Sequence, residues 1–307
     1  MNSNAPPGYA YAVLLSAQLA VGAAAIFARY GLQGAGPLAV SALRLSLAAL
    51  PLLALSWTKS RTLGIPRRHE LLFLSAGAAL AVHFAAWIWS LLYTTVAIST
   101  LLVSTVPVWT ALYDWLVLKK KVSLGFWVAM VTAGSGIVLI VSSKTSAPPV
   151  AGFEELGCLL ALIGSMAFAG YLILVRFVSD LYPTLVIVGR TYSWAALLLS
   201  ISALSLQQMP PDAADSGAWA GIVAMALVSQ TCGHTGMNAS LRWFSSSTVA
   251  FSTLLEPVIA AVLAGMLFTE GLSILTIFGS LMVLGSLAAI LRLQSKQSPE
   301  EGKNVDG

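Results

Sequence analysis

The chain has 307 residues, of which 58% are hydrophobic and only 9% charged, against roughly 25% charged in soluble domains. That composition excludes a soluble enzyme or a nucleic-acid-binding module. At about 20 apolar residues per crossing of a 30 Å hydrocarbon core, the length holds about ten membrane spans with no soluble catalytic domain beside them. The net charge of +4, from 16 Lys and Arg against 12 Asp and Glu, then reports orientation in the lipid bilayer rather than a basic binding face.

Apolar runs separated by short polar or Pro/Gly breaks predict ten helices, near residues 9–28, 37–57, 70–92, 97–117, 124–142, 154–176, 183–206, 217–238, 247–268 and 272–292. No Lys or Arg precedes Arg29, so the first run lacks the basic n-region of a cleavable signal and is expected to stay as a span. The expected organisation is an N-terminal cytoplasmic segment (1–8), five helices (9–143), a connecting loop (144–153), five more helices (154–292) and a polar, disordered cytoplasmic tail (293–307).

Charge tests the count independently. With the N-terminus in the cytoplasm, Lys59, Arg61, Arg67, Arg68, Lys119, Lys120, Lys121, Arg176, Arg242, Arg292, Lys296 and Lys303 face inward, and only Arg29 and Lys144 face outward. This is the bias that the positive-inside rule requires, and a miscounted helix would scramble it. Both termini are therefore expected to be cytoplasmic.

The second half echoes the first. Ser90 and Ser240, Pro107 and Pro257, Lys120 and Glu270, and Ser123 and Ser273 are each 150 residues apart, while Pro37 with Arg44 recurs as Pro183 with Arg190 at an offset of 146. A copy of five spans forces the next copy to start on the opposite side of the membrane. The expected fold class is all-α integral membrane, with ten transmembrane helices in two inverted five-helix repeats, a device transporters use for alternating access.

Ten spans, an early Arg in the second span of each copy, a Pro within the fourth, and Glu270 followed by Leu272 and Ser273 make the chain resemble the EamA-type members of the drug/metabolite transporter superfamily. The likeness runs from about Tyr9 to Arg292. Within the superfamily the chain is most similar to bacterial inner-membrane exporters of aromatic amino acids. The resemblance implies efflux of a small-molecule substrate from the bacterial plasma membrane, without a cofactor. It also implies a central cavity lined by the first, third, fourth, sixth, eighth and ninth spans. One departure is Lys120, where many members carry an acidic residue.

Ionisable groups within spans cost roughly 2.5–3.5 kcal/mol on insertion scales and face the bundle interior or water. Arg44 and Arg190 lie at equivalent depths in the second and seventh spans. Each is read as structural or gating, a guanidinium tying together carbonyls at broken helix ends. Glu256, ahead of Pro257 in the ninth span, is either a proton or cation coupling site or a neutral carboxyl bonded across helices. Pro107 and Pro257 are hinge candidates, since proline removes a helix hydrogen bond.

Polar stripes mark the cavity side. His83, Trp87, Ser90 and Thr94 share one face of the third span, and Gln230, His234 and Asn238 one face of the eighth. Thr100, Ser104, Pro107 and Asp114 form a stripe on the fourth span, and Thr248, Ser252 and Glu256 one on the ninth. The expected substrate-binding residues are Gln18, His83, Trp87, Thr100, Ser104, Phe168, Tyr171, Gln230, His234 and Ser252. Trp87, Phe168 and Tyr171 would stack on a flat substrate while His83 or Gln18 meets its polar end. Gly134, Gly136, Gly279 and Gly285 permit close helix contact, within the fold or in a homodimer.

Cys158 and Cys232 are too few for a disulfide framework or a tetrahedral metal site, and no metal is expected. Neither H-E-x-x-H nor G-x-S-x-G occurs, which removes the signals of a membrane-embedded hydrolase. A passive channel lacks its ring of repeated charges. Cationic drug efflux is the alternative within transport, favoured by deep carboxylates, of which Glu256 is the one near a span centre.

Overall fold

A computed structural model describes residues 6–119, 122–142, 150–268 and 273–297. Among them are helices, turns and bends, and no strand. The first predicted run is longer than expected: α1 (Gly8–Gly22) and α2 (Ala24–Gly34) continue one another across a break at Ala23. The second predicted run is α3 (Pro37–Leu63). Pro37 sits in its first turn, where the missing N–H had no partner to lose, and Gly64, at φ 53°, ends it in the left-handed region that glycine adopts without a Cβ clash. The third is α4 (Arg67–Tyr93).

Proline then interrupts the pattern. Pro107 has no N–H to offer the carbonyl four residues back, and the fourth run divides at Ser104 and Thr105 into α5 (Val96–Val103) and α6 (Val106–Leu116). α7 (Leu124–Ser142), α8 (Glu154–Ser179) and α9 (Thr184–Ser205) follow unbroken. The eighth run is α10 (Ser216–Ala224), a wide π-helical stretch (Met225–His234) and α11 (Thr235–Ser240). The ninth repeats the proline break, as α12 (Ser246–Ser252), a tight 3₁₀ turn (Thr253–Leu255) and α13 (Glu256–Phe268) with Pro257 in its first turn. The last is α14 (Ile274–Gln297), which continues past residue 293, where a disordered tail was expected to begin.

Among the described residues, six segments are long and apolar enough to cross a bilayer: Gly8–Gly34, Pro37–Trp57, Arg67–Tyr93, Glu154–Ser179, Thr184–Ser205 and Ile274–Leu293. The other four predicted spans are occupied by the short α7 and by the three interrupted segments. Large apolar side chains point outward along these helices, among them Ile274 at 83%, Val131 at 68% and Leu281 at 61% exposure. Such faces are stable against lipid and not against water, so the molecule is a multi-pass membrane protein. Residues 1–5, Lys120, Lys121, 143–149, Thr269 to Leu272 and 298–307 lie outside the described residues. With them go Lys144, Lys303 and the Glu270 half of the repeat motif.

Helix pairing follows small residues. α4 packs along α8, α3 along α9 and α7 along α14, while α1 lies against the π-helical stretch and α11, and α2 against α10. At the α4–α8 crossing, a Cβ on Gly164 would stand 3.3 Å from the His83 carbonyl oxygen. At the α7–α14 crossing, Gly136 and Gly279 meet backbone to backbone. Gly134 and Gly285 have no atom within 4 Å of the place a Cβ would take, so only two of the four expected contact glycines pack inside the chain.

Candidate functional site

Between these helices lies a cavity with about 530 Å³ of empty space, its open mouth included. Six predicted spans line it: Val21, Gly22, Ala24 and Ala25 from the α1–α2 break, His83, Phe84 and Trp87 from α4, and Thr100, Val103 and Val106 around the α5–α6 break. Phe168 of α8, His234 at the end of the π-helical stretch, and Thr253, Glu256 and Ala260 across the 3₁₀ turn complete the wall. Four of the six contributions come from places where the regular helix is interrupted. Irregular backbone at membrane depth survives where it is covered by protein or borders a cavity, and here it does both.

His83 organises the aromatic wall. Its Nδ1 lies 2.9 Å from the Gly164 carbonyl oxygen. A carbonyl only accepts, so in the neutral ring Nδ1 carries the proton and Nε2 is left as an acceptor. The ring stacks on Phe168 (centroids 4.6 Å apart) and lies parallel to Trp87 (6.3 Å, 4°). Phe168 in turn stacks on Tyr171 at 5.7 Å, and His234 meets the edges of Phe84 and Phe168. The close α4–α8 crossing at Gly164 makes this row possible, since a side chain there would press on α4.

Of the fifteen residues predicted for the site and its moving parts, His83, Trp87, Thr100, Phe168, His234 and Glu256 line the cavity. The others stand behind its wall, except Arg190, which lies at the far end of the bundle beside Glu70. Gln18 donates from Nε2 to the Ser252 hydroxyl at 2.7 Å, and the Tyr171 hydroxyl donates to Asn238 at 2.8 Å. Thr100 Oγ1, Ser104 Oγ and His234 Nδ1 are buried with no hydrogen-bond partner among the described residues. Nor does Glu256, half-buried at the start of α13, bond to any of them. Pro107 and Pro257 are buried at the two helix breaks.

The two arginines differ in surroundings, and among the described residues neither binds the carbonyl cluster expected of it. Arg44 is fully buried; one guanidinium nitrogen donates to Gln230 Oε1 at 2.8 Å, another faces the Met225 sulfur at 3.8 Å, and its Cζ sits 4.0 Å above the Phe84 ring. Burying an unpaired ion costs several kcal/mol even after relaxation. A charge-assisted hydrogen bond returns about 1.5–3 and a desolvated cation–π contact about 2, terms of the same order, so Arg44 is held without a carboxylate. Gln230 is available to it because the π-helical stretch widens the turn, with Thr231 and Thr235 hydroxyls donating to carbonyls five residues back. Arg190 instead pairs with Glu70 in the first turn of α4 at 2.9 Å.

That pair belongs to a second polar cluster. Glu70 also accepts from the Trp194 indole N–H at 2.9 Å. Beside it, His69 meets the Tyr182 hydroxyl at 2.7 Å and Arg242 donates to the Tyr182 carbonyl oxygen at 3.0 Å. The Ser247 hydroxyl donates to Asp114 at 2.6 Å. These contacts tie the beginnings of α4, α9 and α12 to the ends of α6 and α8, at the end of the bundle away from His83 and Trp87. Sequence reading passed over Glu70 and Phe84. Glu70 had the outward sign of an ordinary first-turn acid, and a phenylalanine carries no polar signal.

Residues 8–142 and 155–292 each match the model of the EamA-like transporter family. The chain belongs to that family. It is 24% identical to YwfM, an uncharacterized transporter of Bacillus subtilis, over 278 residues that make up 89% of this chain and 90% of that one. An uncharacterized transporter of Synechocystis sp. is 28% identical over 222 residues, 70% of this chain and 64% of its own length. A protein of known crystal structure shares the fold, with a TM-score of 0.76 over 95% of this chain and 99% of its own, at 14% identity. Membership makes this a membrane transporter of small molecules. Among the described residues, no group of three or more His, Cys, Asp or Glu is placed to hold a metal ion.

Proposed function

We propose that the protein exports aromatic and other hydrophobic amino acids across a bacterial inner membrane by alternating access, through the cavity between α4, α8 and the interrupted segments. The observation that carries this reading is the row Trp87, His83 and Phe168, a flat aromatic wall backed by Tyr171 and facing a few polar groups. Sites of that composition suit a planar ring bearing a polar end. Gln18, Ser104, Gln230 and Ser252 support it from behind, and Arg44 fixes Gln230.

The ten-span, inverted-repeat organisation, 9–143 and 154–292, is part of the proposal. Two matches to one family model favour a duplication, and so does the pairing of helices. If the first five spans correspond to the last five, a two-fold relation carries the third–sixth contact onto the eighth–first and leaves the second–seventh and fifth–tenth contacts in place. Those are the pairs α4–α8, α1 with the π-helical stretch, α3–α9 and α7–α14. With both termini in the cytoplasm, as the Lys and Arg bias requires, the cluster around Glu70 and Arg190 closes the cytoplasmic end, and the cavity occupies the outer half.

The decisive experiment is flux of labelled tryptophan or phenylalanine from proteoliposomes, with and without an imposed pH gradient, for the native chain and Glu256→Gln. Saturable flux that ignores the gradient and survives the substitution defines a facilitative exporter, and gradient-driven flux lost in Glu256→Gln makes this carboxylate the coupling site. Amino-acid flux no greater than that of empty vesicles overturns the substrate. Efflux of cationic drugs is the second reading, favoured by the unpartnered Glu256 carboxylate beside aromatic rings, and drug flux alone would select it.

A further inference from the structure

Of the polar groups that line the cavity, Glu256, His83, Thr253 and Thr100 each present an acceptor, while the Trp87 indole and the neutral His234 ring each carry an N–H. Glu256 brings a carboxylate with no partner among the described residues. His83 brings Nε2, because its Nδ1 proton is committed to Gly164. Thr253 Oγ1 already donates to the Ala250 carbonyl oxygen at 2.7 Å, which leaves its lone pairs free. Thr100 Oγ1, on a side chain only 6% exposed, has neither donor nor acceptor. The lining holds no Lys or Arg. The nearby guanidinium of Arg44 lies over the face of Phe84 and is not part of the wall.

A set of acceptors around one carboxylate calls for a ligand group with several N–H donors and a positive charge. A ligand carboxylate would meet the like charge of Glu256 there, with no Lys or Arg in the lining to offset it. A primary ammonium, with three N–H groups, satisfies Glu256 and two neutral acceptors at once. The remaining wall, Phe84, Trp87 and Phe168, is aromatic and suits a flat ring one or two carbons from the nitrogen, with cation–π attraction adding to the pair. We propose that this cavity is an ammonium site, in which Glu256 receives the protonated primary amine of a flat-ringed ligand and Thr100 and His83 complete its coordination. The inference rests on the transport reading of the same cavity and narrows it: the amine is the recognised group, and a substrate's carboxylate is dispensable.

The test is binding of labelled tryptamine to the full chain in lipid nanodiscs, with unlabelled competitors. Phenethylamine and tryptophan, which keep the ammonium, are expected to displace it. N-acetyltryptophan and 3-indolepropionate, which keep the ring and the carboxylate but lose the charged amine, are expected to be weaker by about tenfold or more, as loss of a charge-assisted hydrogen bond implies. Glu256→Gln is expected to weaken tryptamine by at least about tenfold on the same ground. Thr100→Val keeps the β-branched shape and removes only the unpartnered hydroxyl. It is expected to weaken tryptamine several-fold with no loss of thermal stability.

Competition by 3-indolepropionate or N-acetyltryptophan equal to that of phenethylamine overturns the proposal on the native protein alone, whether or not Glu256→Gln folds. Saturable tryptophan flux with no tryptamine binding also overturns it, while leaving the exporter reading in place. Tryptamine binding lost in Glu256→Gln, without amino-acid flux, supports the ammonium site and overturns the amino-acid substrate instead.

Discussion

The α7–α14 crossing offers the cleanest test of the packing argument. A Cβ on Gly136 would lie 2.6 Å from the Gly279 carbonyl oxygen, about 0.8 Å inside ordinary contact at 3.4 Å, and the opposing atom is backbone that cannot swing aside. Two residues away on the same helix, a Cβ on Gly134 meets nothing within 4 Å. Gly136→Leu and Gly134→Leu therefore change helix propensity equally and differ only in the crossing. Overpacking costs about 1–3 kcal/mol, and at roughly 2–4 °C per kcal/mol for chains near this size Gly136→Leu should melt several degrees below Gly134→Leu. The assay is the fraction surviving a heat step, read as the monodisperse peak in size exclusion. Equal melting of the two variants would refute the close crossing. A fall in Gly134→Leu accompanied by a shift to a smaller particle would instead place that open glycine in a homodimer contact.

Other expectations follow from the same geometry. Pro107→Ala and Pro257→Ala restore a helix N–H at the two breaks and should lower turnover in proteoliposomes more than substrate affinity; unchanged turnover in both would count against hinges there. The Glu70–Arg190 pair is about a quarter exposed on each side, so Glu70→Gln should alter stability by no more than about 1 kcal/mol. The same change should increase labelling of a cysteine placed at Tyr182, by loosening the end that the pair closes, and protection equal to that of the native pair argues against a gate. Arg44→Met leaves Gln230 Oε1 without its donor but relieves a buried charge, so melting should change little while tryptophan flux falls as Gln230 loses its position. A large loss of stability would show that the guanidinium holds the fold. Gly164→Val, which pushes α4 from α8, should reduce tryptophan flux by more than Gly134→Val.

The helices were legible because each apolar run is bracketed by residues with a single structural meaning, as Pro37 and Gly64 bracket α3. Their interruptions were only partly legible. Pro107 and Pro257 announce a lost hydrogen bond, but the π-helical stretch from Met225 to His234 is ordinary in composition and depends on Thr231 and Thr235 hydroxyls taking up carbonyls that a regular helix would use. His83, Trp87 and His234 could be placed on the cavity from helical spacing, because spacing fixes which side of a helix a residue occupies. Partners were harder to foresee, since spacing says nothing about what another helix brings. Arg44 and Arg190 look alike along the chain, yet one meets Gln230 and Phe84 and the other Glu70.

If the chain is built from duplicated halves, as proposed, that difference bears on where it keeps its chemistry. Two related halves supply a symmetric frame, but an amino acid or an arylalkylamine has no two-fold axis, so the groups that recognise it must come from positions where the copies have diverged. Pro107 and Pro257 are alike, and both serve as helix breaks. The residue before each is not alike: Val106 is apolar and buried, whereas Glu256 carries a carboxylate into the cavity. Arg44 is sealed among aromatic rings near the cavity, and Arg190 is about a quarter exposed beside Glu70 at the other end of the bundle. On the proposed duplication, matched residues such as the prolines set the motion, and mismatched ones such as Glu256 set what is carried. Restoring symmetry tests this directly: Glu256→Val should leave the fold and its thermal stability intact and remove amine selectivity, whereas Pro257→Ala should keep selectivity and slow turnover.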